Sequence, residues 1–212
     1  MYAAAMLRLT VPSDRAWITS ALSNLDAVLV DHAHCEMKAA SNALSLAARH
    51  PEIPAVVRAL TLLAREEIDH FLRVLAILEE RGLALGPPPV DAYAAALRRE
   101  AAAQQGGTKL GALVDRLLVG ALIEARSCER FKLLSEALAA AGERTVSAFY
   151  AELLAAEARH YRELVDLAVV AANGATRLDV LARLDALAER EGAIVSRLAA
   201  RAPAAERAAI HG

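Results

Sequence analysis

Aromatic residues make up only 4% of the 212-residue chain, and runs of alternating β-branched and aromatic residues are missing. A sheet protein is thereby excluded, since strands draw on those residue types. Cysteine occurs twice, at Cys35 and Cys128. Two are too few for a disulfide framework in a chain this long, so both read as reduced thiols of a cytoplasmic protein. No uncharged apolar run approaches the roughly 20 residues of a membrane span. The opening MYAAAMLRLTVPSD has no basic segment leading into a long apolar one, so no signal peptide is expected. Excess charge is lacking too: 24 Lys and Arg face 26 Asp and Glu, for a net charge of -2. That excludes coating nucleic acid by bulk charge but leaves room for a local basic patch.

What the chain does have is alanine and leucine, which supply most of a 56% hydrophobic content. Both lose little on entering a helix. Helical periodicity runs from about 15 to 49, with a bend, after a cap at Ser13–Asp14. A second helix is expected over about 53–81, ended by Gly82. GLALGPPPV, residues 82–90, cannot be helix, because consecutive prolines remove donors and force extended backbone. DAYAAALRREAAA predicts a short crossover helix before Gly106 and Gly107. Long helices follow over about 109–141, 144–172 and 178–200. The expected fold is all-α: a ferritin-like four-helix bundle with one long crossover plus an extra C-terminal helix, residues 1–212 forming a single domain.

The two hairpins carry the same device. REEIDHF contains Glu67-x-x-His70, and AEARHY contains Glu157-x-x-His160. Glu36 precedes Glu67 by 31 residues and Glu124 precedes Glu157 by 33, with a turn near the middle of each interval. A chain that climbs one helix and returns by its antiparallel neighbour brings each pair level. Glu67 shares its face with Leu60, Leu63, Ala64 and Val74, and Glu157 shares its face with Tyr150, Leu153 and Leu164. Glu36 and Glu124 lie on similar apolar stripes. Four buried carboxylates without compensation would be very costly, and no lysine or arginine lies near them on those stripes.

Metal is the economical compensation. A Glu from each of two helices plus Glu-x-x-His from the other two is the recurring di-metal pattern of helical bundles. Carboxylate with imidazole suits iron or manganese. One such motif is weak and a lone histidine is more often a core residue; two at nearly equal intervals form a strong signal. Glu129 competes with Glu124, but its face is more polar and it breaks the hairpin symmetry. Glu66 and Asp69 are candidates to orient a histidine on a neighbouring helix, or are simply solvated. His32 shares the Glu36 face and could orient a ligand, whereas His34 and His50 read as surface residues. Tyr150 and Tyr161 are pocket or core. Small residues near Glu36 and Glu124 (Ala33, Ala39, Ala40, Gly120, Ala121, Cys128) leave room for a cavity beside the metals.

The segments LVDHAHCEMKAASNALSLAARHPE, REEIDHF with its following LEERG, LLVGALIEARSCERFKLL and YAELLAAEARHYREL resemble the MiaE family. These are tRNA-(2-methylthio-N6-isopentenyladenosine) hydroxylases, and the resemblance covers most of residues 15–170. It implies a non-haem di-iron monooxygenase that hydroxylates the isopentenyl group of the modified adenosine beside the anticodon. Two iron ions, O2 as co-substrate, a tRNA substrate and an electron-donating reductase or ferredoxin come with it. On this sequence the ligands implied are Glu36, Glu67, His70, Glu124, Glu157 and His160, with Glu67 and Glu157 as bridges.

Contacts to tRNA are less legible. Arg183, Arg190 and Arg197 recur every seven residues, with Arg201 one turn on, as a basic stripe or a solvated face. Lys38, Arg126, Arg130 and Lys132 are candidates to ring the pocket mouth, and Trp17, Tyr93 and Tyr161 to stack on bases. Two other readings compete: a ferroxidase or peroxide scavenger on the same scaffold, and a helical scaffold whose polar cluster only sets register.

Overall fold

The computed structural model describes residues 7–104, 110–201 and 209–210 of the chain. Among the described residues there is no strand. Helix α1, Arg15–Ser23, is capped by Asp14, whose carboxylate accepts from the Ala16 amide at 3.0 Å. At Asn24 the backbone leaves the helical region (φ -133°, ψ 41°), and α2, Leu25–Arg49, continues after the bend. Pro54 opens α3, Pro54–Glu80, at a position where a missing N–H costs nothing. Residues 82–90 then cross to α4, Ala92–Ala103, which Asp91 caps by accepting from the Ala94 amide at 2.9 Å. Helix α5, Ala112–Ala141, ends at Gly142 with φ 89°, and the Glu143 amide reaches back to the Leu138 carbonyl at 3.0 Å. That left-handed glycine closes the helix and starts the reversal into α6, Arg144–Ala171. Helix α7, Arg177–Arg201, completes the described order. The predicted helices, bend and crossover are all present, with ends shifted by a few residues.

The two extensive pairings are α2 with α3 and α5 with α6, each an antiparallel hairpin. Helix α3 packs on α6, which joins the hairpins into the ferritin-like bundle. Helices α4 and α7 pack on each other and on α5, and α1 also lies against α5. Helix α5 is therefore wrapped on nearly every side. No described helix is long and apolar enough to cross a membrane.

Apolar packing falls into two clusters. One gathers Ala40, Leu60, Leu63, Leu117, Leu122 and Leu164; the other gathers Leu29, Val74, Leu78, Phe131, Leu134 and Leu153. Along α2, α3 and α6 the two clusters lie on opposite sides of the same level. On α3, Leu63 precedes Glu67 and Val74 follows His70; on α6, Leu153 precedes Glu157 and Leu164 follows His160. Each fully buried leucine contributes about 1.5–3 kcal/mol. The level between the clusters contributes with the opposite sign, because it holds carboxylates.

Candidate metal centre

All six side chains expected at the site converge. Glu36, Glu67, His70, Glu124, Glu157 and His160 are buried at that mid-bundle level. One ligating atom from each of Glu36, Glu67, His70 and Glu157 can lie within 4.8 Å of the others, and so can one from each of Glu67, Glu124 and His160. Glu67 belongs to both groups. Nδ1 of His70 stands 3.7 Å from Glu36, 3.5 Å from Glu67 and 3.7 Å from Glu157. Nδ1 of His160 stands 2.9 Å from Glu67 Oε1, close but without hydrogen-bond alignment. Imidazoles from opposite hairpins thus aim the same nitrogen at one set of carboxylates, their ring centroids 5.8 Å apart.

Electrostatics mark this level as under-compensated. Burial, and then the charge of Glu124, pushes the Glu157 carboxyl well above the usual range. Burial and the neighbouring Glu36 charge also raise Glu67. Burial alone would raise Glu36, but the hydrogen bond from His32 and the charge of that ring outweigh it and hold that carboxyl low. Burial would lower both site histidines; the carboxylates reverse that, raising His70 to about 10 and His160 to about 9. Two imidazolium charges do not balance four carboxylates, and the raised carboxyls of Glu67 and Glu157 reflect the remainder. Glu67 Oε1, Glu157 Oε1 and Nδ1 of both histidines are buried with no hydrogen-bond partner. Buried polar atoms in native proteins are rarely left so. Oxygen and imidazole lone pairs that converge without partners fit one or two cations of the first transition row.

Surrounding groups orient the cluster. His160 donates from Nε2 to Glu66 Oε2 at 3.1 Å, and Arg159 also bonds Glu66. Glu66 is therefore the carboxylate that fixes the ring, while Asp69 is exposed. His32, fully buried, donates from Nε2 to Glu36 Oε1 at 2.5 Å. It stacks on Tyr150 and tilts against Phe131 and Phe149.

A slot opens from the cluster between α2 and α5. Glu36, Glu67, Glu124 and Glu157 form its floor, and Ala39, Ala43, Leu60, Leu63, Gly120 and Leu164 are among its walls. The alanine, leucine and glycine walls suit an apolar chain. Gly120 is one reason it exists on this side: a Cβ there would meet Leu164 Cδ1 at 3.2 Å.

Several expectations fail here. Of the small residues, Ala39 and Gly120 line the slot and Ala33, Ala40, Ala121 and Cys128 do not. His34 is buried, donating to the Leu85 carbonyl at 3.1 Å, whereas His50 is half-buried beside Glu52. Glu129 is buried but away from the cluster, bonded to Ser13 and Arg126. Arg126 and Arg130 do not ring a mouth: Arg126 is fully buried between Glu129 and Glu191, and Arg130 binds Ser13 and the carbonyls of Ala209 and Ile210. Lys132 pairs with Glu136. Arg183 is buried on Asp115, which breaks the seven-residue basic stripe; the side chain of Arg201 lies outside the described residues. Trp17, Tyr93 and Tyr161 are all buried, so none is placed to stack on a base. Glu191 was legible only as a charge diluting that stripe, yet it is fully buried and accepts from Arg126 and Tyr93.

The match that decides the family covers residues 2–203, and its description is tRNA-(MS[2]IO[6]A)-hydroxylase (MiaE). The chain belongs to the MiaE family. A Pseudomonas putida (strain KT2440) protein named tRNA 2-(methylsulfanyl)-N(6)-isopentenyladenosine(37) hydroxylase is 43% identical over 157 residues, 74% of this chain and 73% of that one. A Salmonella typhimurium (strain LT2) protein of the same name is 28% identical over 206 residues, with the same coverage. Among solved structures, a Synechococcus protein with aldehyde deformylating oxygenase activity superposes with a TM-score of 0.83 at 35% identity, over 96% of this chain and 95% of that one. This MiaE chain thus shares its fold with an oxygenase and its family with tRNA hydroxylases.

Proposed function

We propose that the chain is a tRNA hydroxylase that inserts one oxygen atom into the isopentenyl group of 2-methylthio-N6-isopentenyladenosine beside the anticodon. The observation that carries this reading is the Glu and His layer lying at the floor of a narrow apolar slot. Glu36, Glu67, His70, Glu124, Glu157 and His160 would hold two iron ions, Glu67 being present in both ligand groups. When bound, the iron pair supplies the activation of O2, fed by electrons from a separate reductase or ferredoxin.

The protein's own part is positional. Glu66 holds the His160 ring so that Nδ1 faces inward, and His32 holds Glu36. The alanine and leucine walls would bind the prenyl chain and exclude water from the floor, so that the apolar chain end is the part presented to the carboxylate layer.

The test bypasses the unidentified reductase. Iron-loaded protein is given peroxide and tRNA bearing the methylthio-isopentenyl adenosine, and the nucleosides are weighed by mass spectrometry. A gain of one oxygen, abolished in Glu67→Ala, is expected. Two bound irons with peroxide consumed and no oxygen gained would overturn the reading in favour of a scavenger. Absence of bound iron would overturn the ligand assignment.

A further inference from the structure

The slot has a charged rim. Lys38, Asn42, Asp91, Arg98 and Arg116 also line the slot, and Arg98 is exposed. Asp91 already caps α4. Lys38 donates to the Pro89 carbonyl at 3.2 Å and so ties the crossover loop beside the opening. Arg116 donates to Asn42 across the gap between α5 and α2 at 2.8 Å. Arg49 ends α2 one turn beyond Leu46, which also lines the slot. Among the described residues neither Arg49 nor Arg98 has a carboxylate partner, and both are exposed. Partial burial, then the charges of Arg98 and Arg49, lowers the pKa of Arg116, as expected for cations gathered without an anion.

Several arginines away from the slot, Arg126, Arg183, Arg73, Arg81 and Arg177, each reach a carboxylate. Three that do not cluster around one opening are held ready for an anion from outside. The opening is where the substrate's apolar chain would enter, and the polar purine that carries it suits the charged part of the lining. Nucleotide phosphates on either side of that purine would then lie over the same rim.

We propose that Arg49, Arg98 and Arg116 form the seat for the backbone phosphates flanking the modified nucleotide. This rests on the tRNA hydroxylase reading and assigns its RNA-contacting residues. Guanidinium forks suit phosphate oxygens, and such pairings position the RNA without reading its sequence. An acidic electron-donor protein would also favour a basic patch, but one docked here would close the slot the prenyl chain uses.

The test compares Arg49→Glu/Arg98→Glu with Arg190→Glu/Arg197→Glu, charge reversals at exposed positions on different helices. Affinity for tRNA bearing the modified adenosine is measured across a salt series, with iron content and helicity as checks on folding. The rim pair should weaken binding about tenfold or more at physiological salt and lower the slope of log affinity on log salt by about 0.7–0.9 for each phosphate no longer neutralised. The α7 pair should change neither by comparable amounts. Arg116→Gln is the second variant and should weaken binding in the same direction. Unchanged tRNA affinity in the rim pair would overturn the seat, as would unchanged affinity with slowed reduction by an acidic donor. Rim-dependent tRNA binding without hydroxylation would leave the seat standing and sink the hydroxylase reading alone.

Discussion

His32 shows how much one side chain can set. Its ring is sealed by Tyr150, Phe131 and Phe149, and its Nε2–H is held by Glu36. Replacing it with alanine leaves a buried carboxylate oxygen without its donor, which costs about 1–3 kcal/mol. His32→Ala should lower the melting temperature and weaken metal affinity, read by titration with Fe(II) or Mn(II). The site histidines give a pH signature in metal-free protein. Their pKa values rise from about 6.5 in an unfolded chain to about 10 for His70 and about 9 for His160 when folded. Stability from them is complete below about pH 6.5 and is lost as pH rises through the folded values. The raised carboxyls of Glu67 and Glu157 act in the same direction, and the lowered Glu36 acts only in acid. Metal-free protein should therefore melt earlier at pH 9.5 than at pH 6.5. Bound metal, which replaces those protons, should flatten that dependence in thermal melts.

At the scale of elements, α2, α3 and α6 were legible because each has one apolar stripe turned toward the bundle. Glu36, Glu67, Glu124 and Glu157 could be placed by counting along such stripes. Helix α5 broke the rule, since α6 covers one face and α1, α4 and α7 cover others. Its polar-looking side, with Arg126, Glu129 and Arg130, is buried against chain distant in sequence, and nothing local announces that. The same blindness applied to His34, hidden by the crossover loop, and to Trp17, covered by the Ala209 carbonyl and Arg130. Glu191→Ala makes the point measurable. It strips a fully buried arginine of its bidentate partner and should cost about 3–5 kcal/mol in denaturant unfolding. On α2, Ala39→Phe should fill the slot and abolish hydroxylation while iron content stays unchanged, as assayed by nucleoside mass spectrometry and metal analysis.

For the whole molecule, the polar level means that two apolar cores are separated by a layer that resists burial. Metal bound there would convert that layer from a cost to a gain. At a free metal concentration one hundred times the dissociation constant, one site adds about 2.7 kcal/mol. Chelation should lower the melting temperature by several degrees, and re-addition of Fe(II) or Mn(II) should restore it, checked by calorimetry.

Glu67 and Glu157 belong to different hairpins, joined in sequence only through the long crossover and α4. Metal held by both would in effect be a cross-link, closed by coordination rather than by sulfur. It would tie the two halves at mid-height, where their apolar surfaces are interrupted. Unlike a disulfide, such a tie would open with acid or chelator. The mechanical union of the hairpins would then follow the occupancy of the centre.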